Sequence, residues 1–182
     1  MKRKINNCLK KIRKNTVEYI ITNRLFVSYV ILTLLATMFV RKFTIGTFFS
    51  FKPLITDLGL ILLIGSFGYF VKPKNQYRFY YALVIVISVI CLISSIYYRF
   101  FTSFASIGEI ATVGQTETVT GSIFDRLSIK DGVFILIPVI FYLIHRKLLS
   151  SAYYYFIDKI EKGKKMFVST LLIGVLCLSY SF

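Results

Sequence analysis

From Phe79 to Tyr98 the chain runs for twenty residues without a charged side chain. A helix rises about 1.5 Å per residue and a bilayer's hydrocarbon core is about 30 Å thick, so this run is long enough to be a membrane crossing by itself. Four further apolar runs flank it, and together they predict spans at about 25–40, 54–71, 79–98, 129–144 and 166–182. The first reaches full length if Arg24 snorkels toward water, and the fourth if Lys130 and Asp131 rest at the interface. Composition closes off the alternatives. With 56% hydrophobic residues, 18 Phe and 13 Tyr in 182 residues, a soluble domain could not hide its apolar surface. A disordered basic tail would need low hydrophobicity. The expected fold class is all-α integral membrane, a five-helix transmembrane bundle.

Orientation follows from the 23 Lys and Arg residues. The segments outside the spans hold, in chain order, eight, three, three, three and six of them, so alternate segments sum to 17 against 6. Basic loops stay cytoplasmic, which places the 1–24 segment inside and the carboxyl terminus outside. The loop 99–131 is then extracytoplasmic and carries four of the eight acids. The same concentration of charge at span ends accounts for the net +15 without nucleic acid, whose binding needs a basic, aromatic soluble face. The run Met1 to Lys14 suits anionic lipid of the inner leaflet.

Catalytic machinery is hard to assemble from what remains. The single histidine, His145, sits beside Arg146 and Lys147 with no Cys, Asp or Glu at ligand spacing, so no metal site is expected. Cys91 and Cys177 fall inside spans while Cys8 is on the cytoplasmic side, which leaves no pair for a disulfide. A glycine-rich phosphate loop and a CxxC are both missing. The chain by itself is expected to be catalytically inactive.

The polar features of interest cluster toward the outer face. Asp57 lies just inside span two behind Lys52 and Pro53; it reads either as a carboxylate paired with Lys52 near a helix start or as a polar contact lining a cavity. Arg99 stands in Tyr97-Tyr98-Arg99-Phe100-Phe101 at the outer end of span three. That is either an aromatic belt with a snorkelling Arg or a fork suited to a lipid phosphate, with Tyr98 and Phe100 beside it. Phe104, Ile107 and Ala111 continue from Phe100 at spacings of four, three and four, which predicts an amphipathic helix resting on the outer leaflet between helices three and four.

The order of these features resembles the membrane region of lipoteichoic acid synthases. The similarity runs from span one to the end of the chain, with Tyr98-Arg99-Phe100-Phe101, the nearby Phe104 and the stretch Leu127-Ser128-Ile129-Lys130-Asp131 as its most specific parts. It implies a bacterial plasma membrane protein acting in cell-envelope polymer synthesis. Members of that family transfer phosphoglycerol from phosphatidylglycerol, using an outer sulfatase-like domain with a threonine nucleophile and a manganese ion. Such a domain would follow the fifth helix, so this chain carries neither nucleophile nor metal ligands and needs no cofactor of its own. The resemblance therefore implies a module that anchors such a domain, and the clustering of polar and aromatic residues at the outer face makes Arg99, Tyr98, Phe100, Lys52 and Asp57 the expected contacts for a lipid headgroup. Two other readings stay open: the membrane subunit of a small-solute transporter, and a purely structural membrane protein.

Overall fold

The computed structural model describes residues 24–102, 128–149 and 160–181. They form five helices: α1 (Arg24–Thr44), α2 (Phe51–Ser66), α3 (Pro73–Phe101), α4 (Gly132–Leu149) and α5 (Ile160–Ser181). Single 3-10 turns, Phe67–Phe70 and Ile129–Asp131, follow α2 and precede α4. The basic segment 1–23 and the expected leaflet helix with Phe104, Ile107 and Ala111 lie outside the described residues. The helices overrun the apolar runs that announce them: α1 takes in Arg41 and Lys42, and α3 begins at Pro73. Helical hydrogen bonding continues until the backbone is capped rather than until hydrophobicity ends. At the far end of α3, for instance, Thr102 turns left-handed and donates its N–H to the Tyr98 carbonyl.

Each inner helix buries one stripe. Phe26, Tyr29, Leu32, Ala36 and Val40 of α1 recur at three- and four-residue spacing, and Tyr80, Val84, Ser88 and Cys91 of α3 and Phe134, Ile137 and Phe141 of α4 do the same. These faces close on one another around the tilted ring pair Tyr29 and Tyr80, whose centroids are 5.3 Å apart. What lies outside is as apolar as what lies inside. Ile135, Leu136, Val139 and Leu143 of α4 and Leu172, Ile173, Val175 and Leu176 of α5 are exposed. A surface of that kind is stable against lipid and not against water. The stretches Arg24–Thr44, Phe51–Phe70 and Asn75–Arg99 are each long and apolar enough to cross a membrane, with Lys165–Tyr180 a shorter apolar helix. The chain is an all-α membrane protein, a five-helix bundle.

Neighbouring contacts fix the directions. Ser28 of α1 meets His145 of α4 at one end while Phe43 meets Phe134 at the other, so α1 and α4 are antiparallel. Phe70 packs on Phe167, with ring centroids 4.4 Å apart, and Gly59 lies against Gly174 and Leu178, so α5 returns antiparallel to α2. The ends of α1, α3 and α5 and the starts of α2 and α4 therefore share one end of the bundle.

In lipid, helices associate through close packing rather than through expulsion of water, and small residues allow it. At the α2–α5 seam a Cβ on Gly59 would come within 3.0 Å of the Gly174 carbonyl oxygen and 2.9 Å of Leu178 Cγ; one on Gly174 would lie 3.1 Å from the Gly59 carbonyl oxygen. Backbone here faces backbone and cannot give way. Gly59→Leu should therefore destabilise the purified protein by about 1–3 kcal/mol in thermal or denaturant unfolding. Gly132→Ala, where a new Cβ would meet nothing within 4 Å, should leave it unchanged or slightly more stable.

Candidate functional site: two ion pairs at one end of the bundle

The end shared by α1, α2, α3 and α4 carries both ion pairs found among the described residues. Arg99 lies in the last turn of α3, and Asp131 closes the 3-10 turn before α4. Their contact is two-pronged, with Arg99 Nη1 donating to Oδ2 at 2.7 Å and Nη2 to Oδ1 at 2.5 Å. Arg99 Nη2 also donates to Ser95 Oγ at 3.2 Å, one turn back on α3. The Ser128 backbone N–H donates to Asp131 Oδ2 at 2.9 Å, and the Ser128 side chain caps the turn in return. The Asp131 side chain keeps 3% of its surface exposed and that of Arg99 21%. Burial opposes the Asp131 charge. The hydrogen bonds from Arg99, the Ser128 backbone and Ser95, together with the guanidinium charge, outweigh it and hold the carboxyl below its ordinary value.

The second pair joins α1 to α2, with Arg41 Nη1 donating to Asp57 Oδ2 at 2.8 Å. Lys52 had been the nearer partner in sequence, but five helical positions turn it about 140° from Asp57, off the same face. Arg41 arrives from the antiparallel neighbour instead. Its side chain is only 9% exposed, and its Nε and Nη2 are buried without a hydrogen-bond partner. Asp57 is thus held by a cation whose own needs are only partly met.

Of the residues proposed from sequence, Arg99 and Tyr98 on α3 and Lys52 and Asp57 on α2 stand at the same end of the bundle; the side chain of Phe100 is outside the described residues. Arg99 and Asp57 each meet a partner that sequence reading had not matched to them, Asp131 and Arg41. A countable signal existed: among the residues bordering the first four spans at this end, two acids stand near two arginines. The opposite end holds neutral contacts. His145, 2% exposed, packs on Phe141 at 4.6 Å and meets Ser28 Oγ through Nε2 at 2.7 Å. Gln76 Nε2 donates to the Gly68 carbonyl at 3.0 Å. No three His, Cys, Asp or Glu residues converge among the described residues.

The sequence matches the model of the lipoteichoic acid synthase N-terminal domain over residues 1–182. The chain belongs to that family. No curated protein and no solved structure matches it. Membership makes this lipoteichoic acid synthase N-terminal domain the membrane-anchoring part of a synthase-like protein.

Asp57→Ala strands the Arg41 guanidinium in a buried site and should cost about 3–5 kcal/mol, whereas Arg41→Met with Asp57→Leu should recover most of that loss. Both are read from equilibrium unfolding in detergent, and an additive pair of effects would contradict the coupling. Because the folded-state Asp131 carboxyl titrates below its unfolded value, its contribution is complete above about pH 4 and disappears as pH falls through the folded-state value. The melting temperature of wild type should thus fall in that acid range more steeply than that of Asp131→Asn.

Proposed function

We propose that this chain is a five-pass module of the bacterial plasma membrane that anchors an outer phosphoglycerol transferase domain of the sulfatase-like kind and presents phosphatidylglycerol to it. The amino terminus is cytoplasmic and the carboxyl terminus lies outside. The observation that carries the reading is the segregation of charge: both Arg–Asp pairs occupy the end toward which α5 runs. Independently, the basic-residue count assigns that end to the outside.

An outer domain following α5 would stand over a rim that the two ion pairs hold rigid. Arg99 fixes that rim by clasping Asp131, Asp57 is held by Arg41, and Tyr98 and Lys52 supply the headgroup contacts. The role of these residues is to hold a phosphodiester at a set depth while the outer domain does the chemistry. Positioning of this kind raises the rate by fixing geometry rather than by adding a reactive group.

Arg99→Lys keeps the charge and loses the two-pronged grip. In a chain joined to a sulfatase-like catalytic domain it should lower conversion of phosphatidylglycerol to diacylglycerol about tenfold with membrane insertion unchanged. Full turnover in both Arg99→Lys and Arg99→Ala would overturn the lipid-presenting role. A reporter fused after Phe182 should be active only outside the cell, and a cytosolic signal would overturn the orientation.

A further inference from the structure

Between α1 and α2 the chain makes a six-residue connection, Ile45 to Ser50, whose shape is fixed while its apolar side chains stay uncovered. Gly46 takes a left-handed φ of 81° to start the turn, and the Ile45 N–H donates to the Arg41 carbonyl at 2.9 Å. Phe48 folds back edge-on against Phe39 of α1, with centroids 5.6 Å apart. That contact leaves Phe49 64% exposed and Phe51, at the start of α2, 60% exposed. Flanking them are two exposed lysines, Lys42 in the last turn of α1 and Lys52 in the first turn of α2. Asp57, the single acid between Arg24 and Thr102, is already engaged by Arg41 at 2.8 Å.

We infer that the outward tip of the α1–α2 hairpin is a binding site for the phosphate of an anionic membrane lipid. Phe49 and Phe51 enter the acyl region beside the hairpin, and Lys42 and Lys52 meet the phosphate at the depth where the chain leaves the hydrocarbon. Charge complementarity selects this occupant: Arg41 and Asp57 cancel, so the tip presents two positive charges above an aromatic wedge. Amphipathic surfaces built of basic and aromatic side chains bind anionic leaflets in this way. A soluble partner of opposite charge would find the aromatic pair in lipid rather than in its own interface. The site shares Lys52 with the proposed rim but not Arg99, Tyr98 or Asp131, and it lies on α1 and α2 rather than on α3. It rests on the proposed function only for which leaflet it faces, and its test needs no catalytic domain.

The experiment is native mass spectrometry of the full chain released from nanodiscs of phosphatidylcholine and phosphatidylglycerol, scoring the ratio of the two lipids retained. Lys42→Gln with Lys52→Gln should lower the preference for phosphatidylglycerol about tenfold, and Lys42→Arg with Lys52→Arg should keep it. Phe49→Ser with Phe51→Ser should reduce retention of both lipids. All four positions are exposed, so the variants should melt with wild type. An unchanged lipid ratio in the glutamine pair overturns the site. Displacement of the lipid by soluble glycerol phosphate overturns the commitment to a membrane-held ligand, because a headgroup alone would then suffice. Loss of turnover in an Arg99 variant with the lipid ratio intact leaves this inference standing, so the two readings fail separately.

Discussion

A charge at the border of hydrocarbon has to be matched by an opposite charge or carried to water, and the bundle solves that problem twice at one end. Asp131 is almost entirely enclosed, yet accepts from both prongs of Arg99, from a backbone N–H and from a serine hydroxyl. Asp57 meets Arg41 from the facing helix. The helices are thereby pinned in register at that end of the bundle. Pairs of this kind contribute little net stability over an apolar substitute, but they penalise misalignment heavily, since sliding one helix by a turn would strand a buried ion. The register of α1 against α2 and of α3 against α4 is set by these contacts.

The two ends of the bundle accordingly differ in kind. At the far end these buried polar groups are neutral and serve the backbone: Gln76 and Tyr80 donate to the Gly68 and Gly65 carbonyls, and Tyr29 to that of Ile61. Several of these carbonyls lie where α2 loosens from α-helical to 3-10 geometry and gives up regular partners. At the near end the partners are ionic, and a family match over the whole chain makes this the framework of a lipoteichoic acid synthase N-terminal domain.

Much of this was legible in the sequence because lipid forces a simple code. Twenty charge-free residues read as a helix whatever their neighbours, and the other four helices followed from shorter apolar runs. Arg99 and Asp57 stood out in the sequence as polar residues near the ends of apolar spans. Their partners did not. Sequence proximity pointed from Asp57 to Lys52, whereas the pairing is set by antiparallel contact between α1 and α2, which a linear pattern does not encode. The tight α2–α5 seam had only the spacing of its glycines as a signal. Gly59 gained its meaning once Gly174 stood opposite it. The leaflet helix expected at Phe104, Ile107 and Ala111 belongs to the 103–127 stretch outside the described residues.

The change of winding at the end of α2 has a consequence for how the helix fits its surroundings. Sixteen α-helical residues followed by four of 3-10 type reach about 24 Å plus about 8 Å, where twenty α-helical residues would reach about 30 Å. Stretching the last turn in this way lets a segment held in its second turn by the half-buried Asp57 carboxylate still touch both surfaces of a slab about 30 Å deep. It does so without a longer sequence and without pulling the slab thinner around it.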